Sequence, residues 1–113
     1  MTVNDVVEKL GLTVFSGKTG LDREVTGGYV SDLLSDVMGN ASEGDIWVTL
    51  QTHKNVMAVA SLKEVAAVIL VKGFAPDKDT LEQSNGEEIP VLGSKLETFE
   101  LAGKLYALLA GDE

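Results

Sequence analysis

The chain contains no cysteine and only one histidine, and these two scarcities remove several classes of function. Without cysteine there are no disulfides, no zinc–thiolate centres and no cysteine nucleophile. His53 alone is too little for a histidine-rich metal site. We therefore expect neither a metal nor any other cofactor.

Long apolar runs are missing as well. The longest, from Val65 to Val71, is far shorter than the roughly 20 residues that a membrane-spanning helix needs. The segment from Met1 to Asp5 lacks the basic and then apolar pattern of a signal peptide. We expect a cytoplasmic protein that has no membrane contact.

Positive charge is scarce: 9 basic residues stand against 18 acidic ones, and the net charge is −9. Such a surface repels phosphate backbones, so nucleic-acid binding is disfavoured. The remaining composition, 44% apolar and 24% charged, is that of an ordinary globular domain. At this length we treat residues 1–113 as a single domain.

Apolar spacing and capping residues predict the order of elements in the first half of the chain. Thr2 and Asp5 are spaced as a capping box that begins a short helix, and Gly11 ends that helix. A strand is expected over 12–15, then a turn over 16–20 and an extended segment around Val25. The stretch from Val30 to Met38 is ambiguous and favours one or two helical turns.

The second half has a clearer pattern. Strands are expected over 46–50, 66–71 and 89–92, and helices over 56–63, with Asn55 as the cap, and from 76 to about 85. Ser94 and Glu97 indicate a second capping box for a last helix that runs to about Leu109. Its buried stripe is expected to comprise Phe99, Ala102, Tyr106 and Leu109, with Leu101, Leu105 and Leu108 beside it.

Strands that alternate with helices over short connections indicate a mainly parallel sheet in a three-layer α/β/α domain. In such folds ligands bind beyond the carboxyl ends of the strands. The residues at those ends are our candidate ligand-binding residues: Gln51, Thr52, His53, Asn55, Lys72, Gly73, Gly93 and Ser94.

A phosphate-binding loop is suggested by Gly17-Lys18-Thr19 but is not supported. The pattern requires a further glycine at the position that Leu12 occupies here. An extended segment, rather than a helix, is expected to follow. We therefore interpret Gly17 and Gly20 as turn residues.

The most informative motif is Asp22-Arg23-Glu24-Val25-Thr26-Gly27-Gly28. The paired glycines allow positive φ and a close approach by another backbone or a ligand. Arg23 offers a planar fork to a carboxylate or phosphate, and Asp22 could hold Arg23 or accept from the amides of residues 26–28. Two interpretations stay open. The motif is either a self-contained clamp on local backbone groups or a ligand or subunit contact.

Asp22-Arg23, Thr26-Gly27-Gly28 and the following succession of strands and helices resemble the DRTGG domain family over about residues 20–109. The resemblance implies a fold similar to the N-terminal domain of HPr kinase. It also implies a regulatory role, because such domains occur between nucleotide-sensing CBS modules of some pyrophosphatases and on some phosphotransacetylases. Some stand-alone members are encoded beside iron-hydrogenase subunits, which implies a redox or hydrogenase-type partner.

The leading hypothesis is a non-enzymatic regulatory module that binds a small anionic metabolite or nucleotide, or docks onto a protein partner, as a homodimer. A first alternative is a small transferase or hydrolase that uses His53 as general base, with Thr52 or Ser94 nearby. A second alternative is a purely structural dimerisation domain.

Overall fold

A computed structural model describes residues 1–111 of the chain. Within that range there are five strands and five α-helices. The strands are β1 (Thr13–Ser16), β2 (Gly27–Val30), β3 (Asp45–Thr49), β4 (Ala67–Leu70) and β5 (Val91–Gly93). The helices are α1 (Val3–Leu10), α2 (Leu34–Asn40), α3 (Asn55–Lys63), α4 (Lys78–Glu87) and α5 (Thr98–Leu109).

The strands form one sheet in the order β1-β5-β4-β3-β2. The pairs β2–β3, β3–β4 and β4–β5 are parallel, which confirms the prediction of a mainly parallel sheet. The exception is β1, which runs antiparallel to β5 and pairs Thr13 with Gly93. This reversal brings the end of α1 to the edge of the sheet where the parallel strands end.

Side chains alternate between two helical layers, as parallel strands covered on both faces require. Ile46 and Ile69 pack with Leu101 on the face that α1 and α5 cover. Trp47 and Val68 pack with residues of α3 on the opposite face. Because helices lie on both sides of the sheet, the predicted three-layer α/β/α architecture is confirmed.

The first helix follows its sequence signals. The Thr2 hydroxyl accepts a hydrogen bond from the Asp5 amide at 3.2 Å, and the Asp5 carboxylate accepts one from the Thr2 amide at 2.9 Å. Gly11 ends the helix with a φ of 63°. The capping box and the stop are both confirmed.

Two predictions of helix caps were wrong. Lys54, rather than Asn55, is the residue before α3, and no side chain caps that helix. The Ser94 hydroxyl accepts from the Leu96 amide at 3.1 Å, and α5 begins only at Thr98 without a side-chain cap. Residues 94–97 therefore form the connection between β5 and α5, and Ser94 closes a turn within it instead of capping the helix.

The predicted stripe of α5 was wrong at Phe99 and Tyr106, whereas Leu109 is half-buried and packs against the core. Leu101, Leu105 and Leu108 face the sheet, whereas Phe99 and Tyr106 are 90% and 76% exposed. Two overlapping apolar stripes exist on this helix, and the sheet is covered by the one made of leucines.

The segment around Gly17-Lys18-Thr19 is a turn, as predicted. It forms a single 3₁₀ turn over Lys18–Gly20, and the next regular element is β2 rather than a helix. A side chain at Gly17, whose φ is 70°, would meet the main chain of Ile89. None of the helices described is long and apolar enough to cross a bilayer.

Candidate functional site

The loops that follow β3, β4 and β5 lie at one edge of the sheet and are hydrogen-bonded to one another. The Gly73 amide donates to the Ser94 carbonyl at 2.9 Å, and the Lys72 amide donates to the Leu96 carbonyl at 2.9 Å. The Thr52 carbonyl accepts from the Asp77 amide at 3.0 Å. These bonds gather the strand-end loops into one surface.

Part of that surface is a cleft of about 770 Å³, which we call the lysine cleft. Its floor and walls come from the end of α1, the start of β1, α5 and the loops after β4 and β5. Its lining includes Lys9, Lys95, Lys104, Gly73, Phe74 and Ser94.

The lysine cleft has an unusual charge for this chain. Three of the nine basic residues line it, and no acidic residue within 1–111 does so. Lys95 and Lys104 are exposed, and neither forms an ion pair with a described residue. The cleft is therefore a cationic surface on a protein whose net charge is −9.

Three main-chain amides at this cleft are already engaged. The amides of Gly73 and Phe74 donate to the carbonyls of Ser94 and Val71, and that of Ser94 donates to Leu70. These three amides are therefore not available to an anion in the cleft. Lys72, with a φ of 62°, and Gly73, with a φ of 76°, turn the loop that presents Phe74.

The structure separates the candidate ligand-binding residues into two groups. Gly73, Gly93 and Ser94 line the lysine cleft. The remaining five, Gln51, Thr52, His53, Asn55 and Lys72, lie at the same edge of the sheet but do not line the cleft.

Gln51 and Thr52 have structural contacts instead. The Gln51 side-chain amide donates to the Asp32 carbonyl at 2.8 Å and so holds the loop after β2. The Asp32 carboxylate accepts from the Thr49 hydroxyl and the Leu50 amide at 2.8 and 2.9 Å. The Thr52 carbonyl also accepts from the Thr80 hydroxyl at 2.7 Å. These contacts close the carboxyl edge over β3.

His53 is half-buried, and its Nδ1 is buried without a hydrogen-bond partner in the described structure. No hydrogen bond within residues 1–111 joins its imidazole to the hydroxyl of Thr52 or Ser94. The Ser94 hydroxyl accepts from the Leu96 amide. The base and hydroxyl pairing that the catalytic alternative requires is therefore not formed.

The DRTGG motif lies at the opposite edge of the sheet, where β2 and β3 begin. Arg23 donates from Nε to the Glu88 carbonyl at 2.9 Å and from Nη2 to the Glu87 carbonyl at 3.3 Å. These carbonyls belong to the end of α4, where Glu88 has a φ of 57°. Arg23 thus binds the terminal carbonyls of a helix, which otherwise lack partners.

The rest of the motif also contacts local groups. The Thr26 hydroxyl donates to the Glu43 carbonyl at 3.0 Å. Gly27 has negative φ, and a side chain there would come within 2.9 Å of the Asp45 carboxylate. Gly28 also has negative φ and lies in β2, where an added Cβ would make only ordinary contacts, so close approach is required at Gly27 alone and positive φ at neither glycine. Asp22 is exposed, and its side chain makes no hydrogen bond within residues 1–111.

A second cleft, of about 740 Å³, adjoins the motif. It is lined by Arg23 and Thr26 but also by four carboxylates: Glu24, Glu43, Glu64 and Glu87. The guanidinium of Arg23 is held by carbonyls, so this cleft is acidic and unsuited to an anion. No group of three or more potential metal-ligating side chains occurs in the part of the chain described.

The three lysines were not foreseen from the sequence. Lys9 lies in the last turn of α1, Lys95 two residues after β5, and Lys104 in the middle of α5. The antiparallel pairing of β1 with β5 brings the end of α1 to the carboxyl edge, and no local sequence pattern predicts that pairing. The signal that was available was the lysine directly after Gly93-Ser94.

Fold and site together define a three-layer α/β domain with a cationic cleft at the carboxyl edge of its sheet. The DRTGG domain family matches residues 5–108, and the chain belongs to that family. Comparison with curated proteins gives no match.

One similar solved structure is the crystal structure of the CBS and DRTGG domains of the regulatory region of Clostridium perfringens pyrophosphatase, complexed with its activator, diadenosine tetraphosphate. The TM-score is 0.75 at 18% sequence identity, and the match covers 92% of this chain and 45% of that one. The likeness confirms the fold. The chain spans less than half the length of that relative.

Proposed function

We propose that this chain is a regulatory module, without a catalytic role, that binds a small anionic metabolite or nucleotide in the lysine cleft. The observation that carries the proposal is the convergence of Lys9, Lys95 and Lys104, from three separate segments, on a cleft without a described carboxylate. Clefts lined by one sign of charge concentrate ligands of the opposite sign.

The family supports the regulatory part of this proposal. The similar Clostridium perfringens structure is a regulatory region, and its activator is a polyanionic nucleotide. That region also includes CBS domains, and the match covers only 45% of its length. The nucleotide therefore indicates a class of ligand to test on this chain.

The proposed mechanism is a population shift. The loops after β4 and β5 form the cleft and are hydrogen-bonded to each other through Gly73 and Ser94. A ligand that binds one arrangement of these loops more tightly changes the surface presented to a partner. By resemblance, a redox or hydrogenase-type protein in the cytoplasm is the partner that we propose, with the module acting as a homodimer.

A thermal-shift screen of nucleotides and phosphorylated metabolites tests the proposal. At 100 times its dissociation constant, a true ligand adds roughly 2.7 kcal/mol to the free energy of unfolding. For a domain of this size that corresponds to a rise in Tm of about 10 °C or more. The matched variants are Lys104→Gln, which should reduce the shift, and Lys78→Ala, an exposed lysine on α4 that should not. No shift with any compound would reject the proposal.

A structural dimerisation role is the second candidate, and one observation favours it. Phe99 and Tyr106 are 90% and 76% exposed on the outer face of α5, with space above Gly103 between them. Large exposed aromatic side chains of this kind are frequent in protein interfaces. Light scattering of the wild type and of Phe99→Glu tests it. A monomeric wild type would reject this role.

A further inference from the structure

We infer that the ligand of the lysine cleft is a nucleoside polyphosphate that is bound without a divalent cation and with little discrimination between bases. This inference rests on the proposed function, because it specifies what the cationic cleft binds. It concerns residues outside the DRTGG motif, namely Lys9, Lys95, Lys104 and Phe74.

The number and origin of the cations favour several phosphates over one. The three lysines come from three separate segments, α1, the loop after β5 and α5, and Lys95 and Lys104 form no ion pair with a described residue. Lysine acts as a point charge on a flexible stem and does not impose the paired geometry of arginine. A chain of phosphates spreads its negative charge over several points that can reach the ammonium groups of Lys95 and Lys104, whereas a carboxylate or a single phosphate concentrates its charge at one point.

The lack of described carboxylates in the cleft favours binding of the phosphates without Mg²⁺. Proteins hold Mg²⁺ through one or two carboxylates together with the substrate phosphates. No described residue that lines the lysine cleft is acidic. The ammonium groups therefore neutralise the phosphates directly, and Mg²⁺ in solution competes with the protein for them.

The aromatic wall favours a ring on the ligand. Phe74 is 43% exposed in the loop after β4 and lines the cleft. Stacking of a base on an aromatic side chain tolerates any base, because every base has a π-face. Base discrimination needs side chains that hydrogen-bond to base edges. Apart from the lysines, the polar side chains of the cleft are the hydroxyls of Thr13 and Ser94, and that of Ser94 accepts from the Leu96 amide.

Isothermal titration of the full chain tests the inference. The titrants are AMP, ADP, ATP, GTP and inorganic tripolyphosphate, and each is measured once with EDTA and once with excess Mg²⁺. The dissociation constant should fall from AMP to ADP to ATP, and ATP and GTP should agree within about threefold. ATP should bind about tenfold more tightly than tripolyphosphate, because stacking on an aromatic ring adds roughly that factor. Excess Mg²⁺ should weaken binding.

Variants assign these effects to the cleft. Lys95→Gln and Lys104→Gln should each weaken ATP binding about tenfold, the size of one lost charged hydrogen bond. Phe74→Ala should remove the advantage of ATP over tripolyphosphate. Lys72→Asn tests the lysine that lies at the same edge outside the cleft, and asparagine tolerates its left-handed backbone. This variant should bind ATP like the wild type.

Each contrary result has a defined meaning. Equal affinity for AMP and ATP, a requirement for Mg²⁺, or equal affinity for ATP and tripolyphosphate would overturn the inference. If another anion binds and its binding is weakened by Lys104→Gln, the proposed function stands without the inference. If no anion binds, both fail.

Discussion

The guanidinium of Arg23 donates from Nε to the main-chain carbonyl of Glu88 at 2.9 Å. This bond joins the segment that precedes β2 to the end of α4. The two residues are 65 positions apart in the chain. The most distinctive motif of the sequence therefore contacts a helix terminus at the edge opposite the lysine cleft. This geometry matches a structural clamp, and it separates the motif in space from the proposed ligand site.

Arg23→Ala should destabilise the fold and leave ligand binding unchanged. It removes two hydrogen bonds to terminal carbonyls of α4, which should lower the free energy of unfolding by about 1–3 kcal/mol. Urea denaturation measures this loss. Asp22→Asn, at an exposed neighbour that forms no hydrogen bond in the described structure, is the control and should change stability by less than about 0.5 kcal/mol. An Arg23→Ala protein with wild-type stability would show that Arg23 is not a clamp.

Two glycine substitutions should have opposite effects. Gly17 has a φ of 70°, and an added Cβ would meet the main chain of Ile89, so Gly17→Ala should cost about 2 kcal/mol or more. Gly103 lies within α5 with nothing near an added Cβ, so Gly103→Ala should stabilise by about 0.5–1 kcal/mol. Thermal unfolding of both variants provides the comparison. Equal changes in Tm would contradict the described turn.

A buried pair of hydroxyls links β1 to the end of α4. Ser16 Oγ donates to Ser84 Oγ at 2.8 Å, and Ser84 Oγ donates to the Ile89 carbonyl at 2.6 Å. Ser84→Ala leaves two buried polar groups without this partner and should cost about 1–3 kcal/mol. The exposed Ser35→Ala is the matched control. Similar denaturation midpoints for the two variants would refute the buried network.

The contact between Tyr29 of β2 and Asp36 of α2 should give the fold a specific acid sensitivity. Hydrogen bonds from Ser31 and from Tyr29 lower the pKa of Asp36, and the same contact with Asp36 raises the pKa of Tyr29. Because the folded pKa of Asp36 lies below its unfolded value of about 3.9, its contribution is present above that pH. It is lost as pH falls through the folded value.

Thermal melts from pH 7 to pH 3 of the wild type and Asp36→Asn measure this contribution. The difference in Tm between the two proteins should be largest near neutrality and should shrink at the acidic end. Asp79→Asn, at an exposed position of α4, should follow the wild type at every pH. A difference that stays constant with pH would show that the ionised form of Asp36 is not what stabilises the contact between β2 and α2.

Local chemistry made part of this fold predictable. The capping box of Thr2 and Asp5 and the stop at Gly11 depend on neighbouring residues, and so does the buried apolar strand β4. The strand β2 was missed because Gly27 and Gly28 have low strand propensity and form a strand only through pairing with β3. A local sequence pattern does not reveal which strands pair in the folded sheet.

The candidate site was predictable only to the level of its edge. Parallel topology places the ends of β3, β4 and β5 together, and this predicted Gly73, Gly93 and Ser94 at one surface. Which part of that edge forms the cleft depends on the position of α1. The antiparallel pairing of Thr13 with Gly93 fixes that position and brings Lys9 to the cleft.

The most direct test of the account is a titration of the full chain with ATP, followed residue by residue through backbone amide chemical shifts. The account predicts that the amides of Gly73, Phe74, Ser94 and Lys95 move with a common dissociation constant, and that those of Arg23, Thr26 and Gly44 at the motif cleft do not. Shifts confined to the motif cleft, or none at millimolar ATP and with any other anion, would contradict it.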